Sequence, residues 1–209
     1  QGDLHFSETA ESKGMAATDW SWSALMADFN NDMYTDIFIS NGILGATNDM
    51  DFIKFISDKT YQDKINKGLK QQDLKLLDKL PKYKKYNKLF LNSAEQVLND
   101  QTSIIENQST SYSNGATYAD LDLDGDLDLV VNNINEKATL YENLTDANYL
   151  KIQFIGFSPN RNGIGAKVIL FVGGQQMMRE NFTNRGYMSS SNNGIHFGLG
   201  KNEKADSLW

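Results

Sequence analysis

The sequence has no cysteine among its 209 residues and only two histidines, His5 and His196. Without cysteine there is no disulfide bond, no thiolate zinc site and no cysteine nucleophile, and the redox compartment stays open. No apolar run approaches the ~18 residues of a membrane-spanning helix. We therefore expect neither a disulfide scaffold nor a membrane span in this chain.

Basic residues are also few compared with acidic ones. The chain has 20 Lys and Arg against 27 Asp and Glu, which gives a net charge of -7. A nucleic acid or an anionic membrane would require a basic face, so neither is expected as the primary partner. A cation is the natural counterpart. Hydrophobic residues make up 40% of the chain, enough for one or two globular domains.

What the sequence does contain is an internal repeat. The stretch SALMADFNNDMYTDIFISN (residues 23–41) aligns with GATYADLDLDGDLDLVVNN (residues 115–133) at an offset of 92 residues, and the same offset pairs Phe6 with Leu98. In both copies an acidic loop leads into a short apolar stretch, residues 37–39 and 129–131, typical of a strand buried on both faces. Each copy therefore predicts a strand, an acidic loop and a second strand.

Residues 43–88 separate the two copies and show helical spacing. Thr47 or Asn48 is placed to cap the first helix. Its apolar residues are Phe52, Phe55 and Ile56. A second apolar stripe, ending at Pro81, consists of Leu74, Leu77 and Leu80. We expect a helical insert at about residues 47–81, with two helices packed on the edge of the sheet.

The second acidic loop, residues 120–128, has the spacing of a hard-cation site. Carboxylates at loop positions 1, 3, 5 and 9 can converge on one ion together with the carbonyl of position 7, and Gly125 at position 6 permits a sharp turn. Without an ion, such crowded carboxylates would repel one another and raise each other's pKa values. The predicted Ca²⁺ ligands are the side chains of Asp120, Asp122, Asp124 and Asp128 and the carbonyl of Asp126. The carboxylate of Asp126 is expected to point to solvent.

The first acidic loop, residues 28–36, predicts a matching site. Its ligands would be the side chains of Asp28, Asn30, Asp32 and Asp36 and the carbonyl of Tyr34. We expect this site to be the weaker one, because Asn30 removes a charge and Met33 stands where the second loop has glycine. If that position requires a positive φ, methionine costs roughly 1 kcal/mol.

Two other interpretations of the acidic loops fit the sequence less well. An acidic loop facing solvent explains one such stretch but not two at one register, each followed by an apolar strand. An EF-hand does not fit either, because neither loop has glutamate at position 12 and each leads into a strand. Mg²⁺ stays open as the alternative ion.

The segment that begins at Asn148 has the pattern of a small all-β domain. Leu150, Ile152 and Phe154 lie at alternate positions, as in a half-buried strand. Residues 173–174 are a Gly-Gly pair that predicts a two-residue hairpin turn. His196 has no nucleophile or carboxylate at a recognisable spacing, so a structural role is favoured over a catalytic one.

These patterns resemble two known families. The acidic loops resemble the calcium loops of FG-GAP and VCBS repeats, the blade units of integrin-alpha-like β-propellers. Residues 160–168 (NRNGIGAKV), 186–191 (GYMSSS) and 196–200 (HFGLG) resemble the hallmarks of the ASPIC/UnbV domain. The combination is similar to the cartilage acidic protein family, and the helical insert is most like large secreted or surface proteins of Bacteroidetes.

The resemblance implies a mainly β fold in two parts. Residues 1–147 would form a partial β-propeller of FG-GAP/VCBS blades with the helical insertion, and residues 148–209 a small all-β ASPIC/UnbV domain. We expect the chain to be part of a longer protein with further blades, because two blades cannot close a ring.

The function we expect is that of a calcium-stabilised binding or scaffold module, extracellular or at the cell surface, with a protein or glycan partner. Calcium would be structural. An accessory or catalytic part of a polysaccharide-processing enzyme, or a structural subunit of an outer-membrane uptake or secretion assembly, stays open. No nucleophile elbow, phosphate loop or zinc motif occurs, so we expect no enzyme. Trp20 and Trp22 could stack on a sugar or pack between blades.

Overall fold

The computed structural model of the chain describes residues 7–66, 79–95, 97–191 and 194–209. His5 and Phe6 lie outside these ranges. The described fold is mainly β, as predicted, and its strands form small antiparallel sheets. In chain order the strands are β1 (Ser21–Ala27), β2 (Asp36–Asn41), β3 (Lys88–Leu91), β4 (Asn99–Asp100), β5 (Ser113–Ala119), β6 (Asp128–Asn133), β7 (Thr139–Tyr141), β8 (Asn148–Ile152), β9 (Lys167–Val172), β10 (Gln175–Glu180), β11 (Ile195–Gly200) and β12 (Ser207–Leu208).

The first seven strands form two meanders. Sheet 1 has the order β1-β2-β3-β4 and sheet 2 the order β5-β6-β7, with neighbouring strands antiparallel. All six residues of β2 are buried. The apolar stretch at residues 37–39 is therefore a strand covered on both faces, as its sequence predicts.

The internal repeat is confirmed strand by strand. β5 begins 92 residues after β1, β6 begins 92 residues after β2, and the strand pairs carry a register shift at the equivalent position. The repeat extends to the third strand of each sheet, where Phe90 pairs with Ile37 and Tyr141 pairs with Leu129. The third strands lie closer together in sequence because the insert interrupts only the first copy.

Sheets 1 and 2 pack against each other through one core. Leu25, Phe38 and Leu89 form a cross-strand row of sheet 1. This row packs with Leu129 and Val131 of sheet 2, and neither Phe38 nor Val131 retains any solvent exposure. Burial of these side chains contributes roughly 1.5–3 kcal/mol each, which fixes the stacking of the sheets.

The outer face of sheet 2 is less covered. The row of sheet 2 that corresponds to the buried row of sheet 1 consists of Thr117, Val130 and Leu140. Leu140 is 61% exposed. The face by which sheet 1 contacts sheet 2 therefore has a counterpart on sheet 2 that is half-buried at Thr117 and Val130 and exposed at Leu140.

The insert contains two short helices, α1 (Met50–Ile56) and α2 (Lys59–Asn66). The predicted N-cap at Thr47 or Asn48 is wrong. Asp49 caps α1, and its carboxylate accepts hydrogen bonds from the backbone N–H groups of Asp51 and Phe52, each at 3.0 Å. A charged carboxylate caps the first turn and also interacts favourably with the positive end of the helix dipole, which explains the later start.

The described aromatic contacts of α1 stay within the insert. Phe55 packs against Phe52 and against Tyr61 of α2, and α1 buries none of its residues completely. Two residues of the predicted second stripe, Leu74 and Leu77, lie outside the described residues. Neither described helix is long and apolar enough to cross a membrane.

Residues 148–209, here called the C-terminal β-unit, contain the pair β8-β11 and the sheet β10-β9-β12. Leu170, Val172 and Phe197 form its fully buried centre. The predicted alternation is confirmed, since the partly buried residues that pack on this core include Leu150, Ile152 and Phe154. Residues 173–174 form the predicted hairpin turn between β9 and β10, and both have positive φ as a type I′ turn requires.

Candidate metal centre

Each acidic loop connects the first two strands of its sheet and is closed by the same hydrogen bonds. In both, the carboxylate at position 1 accepts a bond from the backbone N–H at position 6. These bonds run from Met33 N to Asp28 Oδ2 at 2.9 Å and from Gly125 N to Asp120 Oδ1 at 3.5 Å. The repeat in sequence therefore produces a repeat in loop conformation.

The second loop brings three of its predicted ligands together. Asp120, Asp122 and Asp124 each offer a carboxylate oxygen, and these three oxygens lie within 4.8 Å of one another. Asp122 and Asp124 are exposed, so an ion can reach the group from solvent. The donor set consists of anionic oxygens, which suits a hard cation such as Ca²⁺ and not a soft one.

The first loop draws its corresponding side chains together by hydrogen bonds. The backbone N–H of Asp32 donates to Asp28 Oδ1 at 2.9 Å, and Asn30 Nδ2 donates to Asp32 Oδ2 at 3.0 Å. Asn30 thus donates to one carboxylate of its loop, whereas Asp122 occupies the equivalent position in the second loop, where an ionised carboxylate has no proton to donate.

Burial strongly affects the first aspartate of the first loop. Asp28 is 3% exposed, and desolvation raises its pKa to about 7, with the charges of Asp32 and Asp36 adding to the increase. The predicted rise in pKa from crowded carboxylates is therefore found here, although burial is its largest cause. A divalent ion among these oxygens would favour their charged forms.

The aspartates at position 9 have a different role from the three converging carboxylates of Asp120, Asp122 and Asp124, here called the trio. Asp36 accepts backbone bonds from Phe29 at 2.8 Å and from Asn92 at 2.8 Å, so it ties its own loop to the end of β3. Asp128 makes the matching bonds to Leu121 and Asn143, each at 2.9 Å. Both side chains are buried. Among the described residues, the group of converging carboxylates includes neither of them.

The expectation that the Asp126 carboxylate points to solvent is wrong. Asp126 is 1% exposed, and its Oδ2 accepts a bond from the backbone N–H of Thr145 at 2.7 Å. Its Oδ1 is buried without a hydrogen-bond partner, and burial raises its pKa to about 6. The carboxylate turns inward because it fixes the connection that leads into the C-terminal β-unit. The orphaned oxygen is consistent with a cation nearby.

Position 6 requires the left-handed conformation in both loops. Gly125 has φ of 98° and Met33 has φ of 81°. The strain expected for methionine at this position is therefore present, and the sequence-based argument for a weaker first site keeps its physical basis.

The C-terminal β-unit covers both loops, a contact that no sequence pattern predicted. Asn31 is fully buried between the two loops and the C-terminal β-unit. Its Nδ2 donates to the carbonyl of Gly125 at 3.2 Å, its Oδ1 lies 2.7 Å from His196 Nε2, and its carbonyl accepts a bond from Gly200 N at 2.7 Å. One side chain thus links the first loop, the second loop and β11.

At two further contacts a glycine packs so closely that there is no space for a side chain. A Cβ on Gly198 would overlap the Asp28 carboxylate and the Asn31 backbone, and a Cβ on Gly125 would overlap the ring of Tyr149. Lys151, also on β8, forms an ion pair with Asp120, with Nζ 3.0 Å from Oδ2. We call the contacts of Asn31, Tyr149, Lys151, His196 and Gly198 with the acidic loops the loop joint.

His196 belongs to this joint and has a structural environment. Its ring stacks on Tyr149 with 5.8 Å between centroids, and Nδ1 is buried without a partner. Burial lowers the pKa of His196 to about 4, so the imidazole is neutral at physiological pH.

Trp22 packs against the C-terminal β-unit. Its ring lies 5.0 Å from that of Tyr187, and its Nε1 donates to the carbonyl of Gly42 at 2.6 Å. Trp22 therefore has a packing role, but the described ring contact is with the C-terminal β-unit, whereas the sequence suggested packing between blades.

Comparison with known protein families matches residues 156–209 to the family described as ASPIC and UnbV. The matched span contains the three stretches at residues 160–168, 186–191 and 196–200, so this part of the resemblance is confirmed. A search of curated proteins found no match to the chain. The resemblance of the acidic loops to FG-GAP and VCBS repeats stays a prediction.

Proposed function

We propose that this chain is a calcium-stabilised binding or scaffold module that works outside the cell or at its surface. The observation that carries the proposal is the convergence of Asp120, Asp122 and Asp124 within 4.8 Å in the second loop. The first loop has the same hydrogen bond from position 6 to the carboxylate at position 1, at the same place in its sheet, which a chance acidic surface loop would not repeat.

The calcium ions would be held by oxygen ligands of the two loops. In the second loop these are the trio and the carbonyl of Asp126, and in the first loop Asp28, Asn30, Asp32 and the carbonyl of Tyr34. Asp36 and Asp128 complete the predicted sets, in addition to the backbone bonds that they already accept. A bound ion supplies positive charge where several carboxylates meet, and therefore stabilises the folded state rather than performing a reaction.

We also propose that sheets 1 and 2 are consecutive blades of a β-propeller of the FG-GAP/VCBS type. Both sheets are antiparallel meanders, and the row of Leu25, Phe38 and Leu89 on sheet 1 is buried by sheet 2. The matching row on sheet 2, with Leu140 exposed, would receive the next blade. The propeller would then present its loops to a protein or glycan partner.

Thermal unfolding with and without calcium tests this function. With free Ca²⁺ at 100 times Kd, each bound ion adds about 2.7 kcal/mol, or roughly 5–10 °C in Tm for a chain of this size. Asp124→Ala should remove a large part of the shift, because Asp124 contributes an exposed ligand of the trio. Asp206→Asn removes an exposed carboxylate far from either loop in sequence and serves as the control.

Equal melting temperatures in calcium and in chelator would refute the calcium assignment. Isothermal titration calorimetry measures the stoichiometry independently, and we expect two ions for each chain. A shift that Asp206→Asn abolishes as completely as Asp124→Ala would show that the ion acts on general surface charge.

A further inference from the structure

We propose that Lys151 is the built-in counter-cation of the second acidic loop and that a calcium ion entering this loop displaces its ammonium group from Asp120. The inference rests on the proposed function, since it concerns the same ion. It assigns to the C-terminal β-unit a direct part in setting the calcium affinity of the neighbouring sheet.

The position of Lys151 is fixed by its strand. Lys151 lies on β8 two residues after Tyr149, so both side chains are on the same face of the strand. Tyr149 is in contact with Gly125 and so anchors this face on the second loop. The Lys151 side chain is 25% exposed and that of Asp120 is 4% exposed, so the ion pair is largely shielded from water.

The ion pair changes the electrostatics of the first ligand. Burial alone would raise the pKa of Asp120, but the hydrogen bond and charge of Lys151 lower it below its ordinary value. Asp120 is therefore a carboxylate whose charge is already compensated. Calcium must compete with a resident cation for the negative charge of this carboxylate.

The first loop has no ion pair of this kind among the described residues. The C-terminal β-unit places the backbone of Gly198 over Asp28. Arg179 does reach this loop, since its Nη2 donates to Thr35 at 3.1 Å and the charge of Asp28 acts on its guanidinium, but it forms no ion pair there as Lys151 does with Asp120. Lys151 thus reduces the advantage that Asp122 and Gly125 give the second loop over the first.

Isothermal titration of Lys151→Met tests the proposal. The measurement is made in an Asp32→Ala background, which leaves the second loop as the titrating site. We expect the Ca²⁺ affinity to rise about ten-fold, the size expected when one unit charge no longer opposes a divalent ion a few ångströms away under strong solvent screening. The gain should shrink as NaCl is raised.

Two variants control for other effects of the change. Lys167→Met removes an ammonium group from the same β-unit that is paired with Glu180 at 3.5 Å, and should leave the affinity unchanged. Lys151→Arg keeps the charge and should also bind as the parent does. An unchanged or weaker affinity in Lys151→Met would overturn the inference while leaving the calcium function intact.

A second measurement uses the unaltered chain. In ¹⁵N NMR of lysine ammonium groups, Lys151 should give a resonance protected from exchange in chelator that broadens or shifts to the position of free lysines on calcium addition. A resonance that stays protected with calcium bound would contradict displacement. If the unaltered chain binds no calcium in either experiment, the proposed function itself fails, and the inference fails with it.

Discussion

Replacing Asn31 by alanine should separate the two acidic loops from the C-terminal β-unit. Asn31 has no solvent exposure, and its side chain bonds to the carbonyl of Gly125 and to the imidazole of His196. Alanine removes the side chain that bonds to both groups, and the carbonyl of Gly125 and the imidazole of His196 each lose this partner. Its backbone must also keep the φ of 53° that asparagine tolerates better than alanine.

The magnitude follows from these losses. Leaving a buried hydrogen-bonding group without its partner costs about 1–3 kcal/mol, and here two groups are affected. The left-handed backbone adds roughly 1 kcal/mol. We therefore expect Asn31→Ala to lower the free energy of unfolding by about 3–7 kcal/mol, a large part of the total stability of a typical folded protein, which is about 5–15 kcal/mol.

Urea denaturation followed by tryptophan fluorescence measures this change, in calcium and in chelator. Leu123 offers a matched control, since it occupies the equivalent position in the second loop with φ of 68° and is 76% exposed. Leu123→Ala should change stability by less than about 0.5 kcal/mol. If Asn31→Ala behaves like Leu123→Ala, the reasoning is refuted.

A double-mutant cycle with His196→Ala sharpens the test. The two side chains bond directly at 2.7 Å, so the cost of the double variant should fall short of the sum of the single costs by about 0.5–3 kcal/mol. Strict additivity would show that the two residues stabilise the chain independently.

Two other perturbations probe the loops. Gly125→Ala should destabilise the chain by about 2–4 kcal/mol in a melting experiment, because the new methyl group meets the Tyr149 ring and φ is 98°. The control is Gly165→Ala, which has φ of 85° but open space around it and should lose only about 1 kcal/mol. Equal losses would remove Tyr149 from the explanation. In chelator, Asp28 binds a proton in the folded chain up to pH about 7 and in the unfolded chain only up to about 3.8, so its contribution to stability falls as pH rises between these values. In chelator, the difference in urea midpoint between the parent and Asp28→Asn should therefore decrease from pH 4 to 7. A difference that stays constant or rises would contradict the raised pKa of Asp28.

The repeat could be predicted from the sequence because its chemistry is local. Aspartates at alternate positions followed by an apolar stretch predict a loop and a strand wherever they occur, and the two copies agree at an offset of 92 residues. The strands β1, β2, β5 and β6 begin where this register places them. Position 6 needed a positive φ for the same local reason, and both Met33 and Gly125 have it.

The inward turn of Asp126 and the covering of the loops could not be predicted in this way. Asp126 is held by the backbone of Thr145, and Asn31 by residues on β11, so their environments depend on how distant segments pack. A sequence pattern with a period of two says which face a side chain is on, but not which neighbour covers that face. The one available signal was that Asn31 and Leu123, at equivalent positions, differ completely in polarity.

The absence of side chains at residues 125 and 198 has a consequence for protein engineering. At both places the two halves of the molecule touch with no space left for even a methyl group. A chimera that grafts a foreign β-domain onto these sheets would therefore inherit a mismatch unless it carries glycine at the point facing Asp28 and an aromatic ring facing residue 125. The halves are exchangeable only as a fitted pair.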